Sequence, residues 1–114
     1  MKNAAGIQTN ELIETGKIKK ARTFFEKFWG LMFQKESGIG LFFENTKYMH
    51  TFFMRFDLDF FFLDKDGGII GVKRNVKPFR IVLPLPKTVS VAEMPSKLKF
   101  TIENLDIDAL RTLK

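Results

Sequence analysis

The sequence predicts a mainly β, α+β fold: a β-sandwich or open barrel of about seven or more strands with one principal short helix. Two patterns lead to this prediction. Apolar residues recur at helical spacing near residues 24–33, and from Ile39 onward short apolar runs alternate with turn residues. The length of 114 residues, 45% of them hydrophobic, suits one core. We therefore expect residues 1–114 to form a single domain, with residues 1–10 as a flexible N-terminal segment.

The first elements of the chain are short. Residues 11–13 and 17–20 are mixed polar and apolar stretches joined by a glycine-containing turn, which predicts a β-hairpin. Thr23 and Glu26 then have the spacing of a capping box that begins a helix. The residues that follow place an apolar stripe on one helical face: Phe24, Phe28, Leu31 and Met32. The principal helix is therefore predicted over residues 24–33.

Strand patterns dominate the rest of the chain. The candidate strands are residues 41–44, 51–56, 60–64, 69–72, 80–83, 88–92 and 99–102. The turn at residues 65–68 joins two of them as a predicted hairpin. Pro78, Pro84 and Pro86 flank the 80–83 segment. Because proline cannot donate a hydrogen bond to a strand ladder, we predict an edge strand or a corner there.

Composition excludes several classes of site. The chain has no cysteine and one histidine, which excludes structural zinc, iron–sulfur clusters, a cysteine nucleophile and multi-histidine metal sites. A segment that starts at Asp64 begins like a calcium loop, but its closing position is Asn75 rather than glutamate, so we interpret it as a turn. We expect no metal and no cofactor.

The aromatic residues are mostly phenylalanine. There are 14 Phe against one Tyr and one Trp, so most of the aromatic surface has no hydrogen-bonding group and suits a core. The run around residue 60 is apolar on both strand faces, which is typical of a strand covered on both sides. The predicted core residues in it are Phe52, Phe53, Phe60 and Phe62.

The chain is basic, with a formal net charge of +6 and a pI near 9.7. Residues 73–87 form a basic window without any acid, and residues 17–22 form a second one. We interpret both windows as solvated strand faces or loops rather than as nucleic-acid binding surfaces, because their cations are not interspersed with glycine-rich or aromatic segments. Neither a signal peptide nor an apolar run near the roughly 20 residues of a membrane helix occurs. We therefore expect a cytoplasmic protein without a membrane partner.

The most distinctive pattern is HTFFMRFDLDFFFLD at residues 50–64. GLMF precedes it at residues 30–33, and KPFR at 77–80 and VAEMP at 91–95 follow. In this order the motifs resemble the prokaryotic family catalogued as domain of unknown function 192. The resemblance implies a β-rich sandwich with a small helical element and brings no established biochemical activity. The sequence departs from the family pattern at Asp57, at Ser96-Lys97 and at Leu105-Asp106.

A polar cluster is predicted within this pattern. In an extended strand Arg55, Asp57 and Asp59 share one side. Because charges among phenylalanines must be paired, Arg55 is expected to bind one or both carboxylates, as a structural ion pair or as part of a ligand site. His50, which is the only histidine, and the carboxylate of Glu93 are the other groups suited to acid–base chemistry near neutral pH. The candidate ligand-binding residues are therefore His50, Met54, Arg55, Asp59 and Glu93.

Three functions of different classes are compatible with these residues. The favoured one is a non-catalytic module that binds an unidentified small molecule or protein through the polar cluster. A small enzyme that uses His50 with a carboxylate is an alternative, although no nucleophile motif or phosphate loop occurs. The third is weak nucleic-acid binding through the 73–87 basic window.

Overall fold

The structure of the protein is a computed structural model that describes residues 8–20, 40–44, 49–51, 56–102 and 104–112. The helices in these ranges are α1 (Thr9–Glu14) and α2 (Ile107–Arg111), and a 3-10 turn spans Ser96–Leu98. The strands are β1 (Ile18–Lys20), β2 (Gly40–Glu44), β3 (Met49–His50), β4 (Leu58–Leu63), β5 (Ile69–Val76), β6 (Ile81–Val82) and β7 (Ser90–Pro95).

The larger sheet has five strands in the order β1-β2-β7-β4-β5. Strand β1 runs parallel to β2, and the other neighbours are antiparallel. Every residue of β4 and β7 is buried, as expected for central strands covered on both faces. This sheet confirms the predicted mainly β class. Closure into a sandwich or open barrel of seven or more strands stays a prediction.

One face of the large sheet, here called the helix face, carries Phe42, Phe61 and Met94. Leu12 of α1 and Leu110 of α2 are buried against these side chains. Helix α2 begins at Asp106, whose carboxylate accepts a hydrogen bond from Ala109 N and so caps the helix. The two short helices are therefore held in place by apolar packing on the sheet rather than by their own length.

The opposite face, here called the small-sheet face, carries Phe60, Phe62 and Val91. Val82 of β6 is buried in the same core, so the two-stranded β3–β6 sheet covers this face. Phe60 and Phe62 have no exposed surface, which confirms their predicted core position. The other two predicted core residues, Phe52 and Phe53, lie outside the described residues.

A buried threonine joins the two strands of the small sheet. Met49 pairs with Val82 and His50 with Ile81. Just after β3, the fully buried Thr51 donates its hydroxyl to Lys77 O (2.6 Å) and accepts a hydrogen bond from Arg80 N (2.9 Å). Within the described ranges β6 pairs with β3 alone, which is consistent with the edge strand or corner that the flanking prolines predict.

The predicted hairpin over residues 11–13 and 17–20 is wrong at its first strand. Residues 9–14 form α1, because Thr9 and Leu12 are one helical turn apart and both are buried. Helix α1 also begins inside the segment predicted to be flexible. Strand β1 exists, but its partner is β2, which runs parallel to it.

The predicted strand over residues 99–102 is also wrong. Lys99 has a φ of 52°, which is left-handed rather than extended backbone. The carbonyl of Phe100 accepts a hydrogen bond from Arg74 Nη1 (2.9 Å) instead of entering a ladder. Strand β3 ends at His50, and both the predicted helix over 24–33 and residues 52–55 lie outside the described residues.

The turn between β4 and β5 confirms the predicted hairpin. Asp64 Oδ1 accepts hydrogen bonds from Asp66 N (2.8 Å) and Gly68 N (2.9 Å), so its carboxylate closes the turn. Gly67 has a φ of 86° and its carbonyl accepts a hydrogen bond from Leu105 N (2.8 Å). The turn therefore also anchors the chain that leads into α2.

Replacing Gly67 by alanine is expected to lower the free energy of unfolding by about 2 to 3 kcal/mol. The left-handed φ costs a side chain about 1 to 2 kcal/mol, and a Cβ atom would overlap the Leu105 carbonyl oxygen. Gly16→Ala is the matched control, because Gly16 has a φ of 69° and no atom within 4 Å of the added Cβ. Urea unfolding should show the smaller loss for Gly16→Ala; equal losses would contradict the packing part of the argument.

Candidate functional site

The candidate site is built around Asp59, whose side chain is only 2% exposed. Its Oδ1 accepts hydrogen bonds from Ser96 Oγ (2.6 Å) and Asn75 N (2.9 Å). Its Oδ2 accepts a hydrogen bond from Arg74 Nη1 (2.8 Å), which is also a salt bridge. A carboxylate at this depth is tolerated because charged and neutral donors together replace the lost water.

A β-bulge brings the two β5 donors to Asp59. The register passes from Leu58 opposite Val76 to Phe60 opposite Lys73, so Arg74 and Asn75 together face one residue of β4. Asn75 has a φ of 55°, a conformation that asparagine tolerates better than most residues. The bulge therefore aims a backbone N–H and a guanidinium at the same carboxylate.

Arg74 is held at three points. Its Nη1 donates to Asp59 and to Phe100 O (2.9 Å), and its guanidinium carbon lies 5.3 Å from the centre of the Phe61 ring. The ring is within the range of a cation–π contact. The side chain remains 42% exposed, so part of it is accessible to solvent.

A cavity of about 320 Å³ lies above this cluster. It is lined by Asp59, Arg74, Asn75, Ser96, Lys99 and Thr101. Ser96 begins the 3-10 turn after β7, and the left-handed backbone of Lys99 ends that turn with its N–H donating to Ser96 O. The two cations of the lining outnumber its one carboxylate, so the cavity has a net positive charge.

Of the predicted site residues, the two described carboxylates, Asp59 and Glu93, lie on opposite faces of the sheet. Glu93 is opposite Phe60 in the β4–β7 register, whereas Asp59 is opposite Met94. Because neighbouring strand residues point to opposite faces, Glu93 lies on the small-sheet face and Asp59 on the helix face. The structure therefore does not bring these two carboxylates together.

The other predicted residues have separate outcomes. His50 is described as the β3 partner of Ile81. Met54 and Arg55 lie outside the described residues, so pairing between Arg55 and Asp59 stays a prediction. The Asp57 carboxylate forms a salt bridge with Lys77 (2.8 Å), with side chains 28% and 66% exposed, and the Asp57 carbonyl accepts a hydrogen bond from Ser96 N (3.0 Å).

Most of the residues around Asp59 were not predicted as site residues. Arg74 was noted only as part of the basic window, and Ser96 only as a departure from the family pattern. A signal for Arg74 exists in the sequence, because pairing outward from the 65–68 turn puts residue 74 opposite residue 59. No local sequence pattern indicates the lining residues that come from a distant part of the chain, which are Ser96, Lys99 and Thr101.

The described ranges show neither a metal-binding cluster nor a membrane-spanning helix. In that part of the chain no three His, Cys, Asp or Glu side chains are grouped so that they could hold a metal ion. None of the helices described above is long and apolar enough to cross a lipid bilayer. Within the basic window, Arg74 and Lys77 are each paired with an aspartate.

Comparison with known proteins gives a consistent result. The family model DUF192, described as "Uncharacterized ACR", matches residues 6–107. A UPF0127 protein of Thermococcus sibiricus is 32% identical over 94 residues, which cover 77% of this chain and 60% of that protein. A UPF0127 protein of Pyrococcus horikoshii is 29% identical over 101 residues, which cover 84% of this chain and 87% of that protein.

A solved structure supports the fold alone. A protein of unknown function from Novosphingobium aromaticivorans has a TM-score of 0.61 at 24% sequence identity. The match covers 71% of this chain and 64% of that one. The chain thus spans about 60% of the Thermococcus sibiricus relative and 64% of this solved structure.

Proposed function

This chain belongs to the DUF192 family of uncharacterised proteins, and we propose that it is a non-catalytic binding module for a small anionic ligand. The proposed binding site is the cavity above Asp59. The proposal rests on one observation: the buried carboxylate of Asp59 fixes Arg74 at the wall of that cavity. The absence of cysteine supports the cytoplasm as its location.

Charge supports an anionic ligand. Protein donors already occupy both oxygens of Asp59, and Lys99 adds a second cation to the lining. The described hydrogen bonds of Arg74 all start at Nη1, which leaves Nε and Nη2 as donors for a ligand. A guanidinium edge binds a carboxylate or a phosphate through two parallel hydrogen bonds.

Rigidity and size support a small ligand. A donor group that is already held in place loses less conformational entropy on binding than a mobile side chain. The volume of about 320 Å³ is at the lower end of small-molecule sites. The site therefore suits a compact anionic molecule.

The test is isothermal titration calorimetry, in which inorganic phosphate and succinate are titrated into the protein in separate experiments. The wild-type chain should bind at least one of them saturably, and Lys99→Met should weaken that binding about tenfold, the loss of one charge-assisted hydrogen bond. Lys97→Met removes the same charge from the same turn but not from the cavity lining. It should leave the affinity within about twofold.

Two outcomes would contradict the proposal. If neither phosphate nor succinate binds saturably, the cavity does not hold these anions. Equal losses in Lys99→Met and Lys97→Met would show attraction to the net charge of +6 rather than binding at a site.

The alternative functions receive less support. Nucleic-acid binding through residues 73–87 has less support, because two cations of that window, Arg74 and Lys77, are paired with Asp59 and Asp57. An enzyme that uses His50 with a carboxylate stays a prediction. Neither is needed to account for the cavity.

A further inference from the structure

Three large apolar side chains are exposed at alternate positions along and beside β6. Phe79 is 59% exposed, Ile81 62% and Leu83 66%. Val82, between them, is buried on the small-sheet face. Ile81 and Leu83 are alternate residues of an extended segment and share one side, and Phe79, whose φ of 65° departs from extended backbone, is exposed two residues before Ile81. These three residues are here called the β6 row.

One edge of β6 has no partner strand among the residues that the structure describes. Within the described residues β6 pairs with β3 alone. Arg80 O accepts a hydrogen bond from Thr51 N (2.8 Å), so Arg80 directs its backbone toward β3. Because antiparallel strands alternate between paired and outward-directed backbone groups, Ile81 directs its N–H and C=O to the opposite edge. An extended chain could pair there.

Phe79 has an unusual backbone conformation. Its φ is 65°, which is unusual for a bulky side chain. Phe79 N and Arg80 N both donate to Thr51, to its carbonyl oxygen and its hydroxyl respectively, and so hold this conformation.

Charge around the β6 row favours an acidic partner. The chain has no Asp or Glu between Gly71 and Ala92, and Arg80 and Lys87 lie within this stretch. A second copy of the chain would bring the same cations together, which is unfavourable. A lipid surface would bury the outward backbone groups of Ile81 without hydrogen-bond partners.

We infer that the β6 row is a docking surface for a partner protein, which binds through an extended peptide segment with alternating apolar and acidic residues. The segment adds as a strand to the open edge of β6. Its apolar side chains cover Phe79, Ile81 and Leu83, and its acidic ones approach Arg80 and Lys87. This site is independent of the Asp59 cavity.

The test measures anisotropy of a fluorescent peptide of about eight alternating glutamate and valine residues. The wild-type chain should bind it saturably, more weakly as salt rises, and should not bind a lysine–valine peptide. Ile81→Glu and Leu83→Glu should each weaken binding about tenfold or more. Ile70→Glu is the matched control, because Ile70 is 39% exposed on β5 in the other sheet.

Several outcomes would overturn the inference. They are absence of saturable peptide binding, an equal loss in Ile70→Glu, preferential binding to phosphatidylglycerol vesicles, and a dimer in sedimentation that Ile81→Glu dissociates. The thermal midpoint of each variant shows that it is folded. Lys99→Met should keep full peptide affinity, so this test and that of the Asp59 cavity can fail separately.

Discussion

Phe60→Ala is expected to lower the free energy of unfolding by about 3 to 5 kcal/mol. Phe60 has no exposed surface and lies in β4, which is hydrogen-bonded to β5 on one side and to β7 on the other. Its ring packs in the core of the small-sheet face with Phe62 and Val91. Truncation would therefore remove the contacts of a ring and leave a cavity that central strands cannot easily close.

Denaturant unfolding followed by circular dichroism measures this effect. Phe79→Ala is the matched control, because the same truncation at a residue 59% exposed should cost less than about 1 kcal/mol. An unfolding midpoint for Phe60→Ala equal to that of the wild-type chain would contradict the proposed packing of the small-sheet face.

The hairpin between β4 and β5 was predictable because its determinants are local. Apolar runs flank a turn that contains Asp66 and Gly67, and the Asp64 carboxylate closes that turn through hydrogen bonds to its own neighbours. Pairing follows outward from such a turn. Short-range turn chemistry and strand patterning therefore sufficed for the central part of the sheet.

Helix α1 was not predictable in the same way. Six residues do not form a stable helix alone, and Leu12 is buried together with residues close to the C-terminus, such as Leu110. Conversely, residues 99–102 alternate between polar and apolar side chains as a strand does. They form no strand, because Lys99 has a left-handed backbone and the Phe100 carbonyl accepts a hydrogen bond from Arg74. Tertiary contacts decided both segments.

The candidate site shows the same division. Composition indicated that Asp59 needs a partner among phenylalanines, and this follows from the cost of burying a charge. The described arginine partner, Arg74, comes from the neighbouring strand, and Ser96 comes from the turn after β7. The cost of burying a charge identifies Asp59 as a residue that needs a partner. Only the pairing of β4 with β5 identifies Arg74 as that partner.

The Asp59–Arg74 pair provides the second large expected effect. Asp59→Leu should cost about 3 to 5 kcal/mol, since it leaves the buried Ser96 hydroxyl and the partly buried Asn75 N–H without their acceptor. Arg74→Met should cost less, about 1 to 3 kcal/mol, because Arg74 is 42% exposed and solvent screens part of its interaction.

A double-mutant cycle separates the pair from the rest of the cluster, and the chain contains its own control. Lys77 and Asp57 form an ion pair with the same separation, 2.8 Å, but with side chains 66% and 28% exposed. If burial sets the strength, Asp59→Leu with Arg74→Met should give a coupling energy of about 1 to 2 kcal/mol, whereas Asp57→Leu with Lys77→Met should stay below about 1 kcal/mol. Equal coupling in the two cycles would mean that the buried carboxylate does not hold Arg74 more firmly than a surface pair does. The cavity above Asp59 would then lose the rigid donor on which its proposed affinity for anions depends.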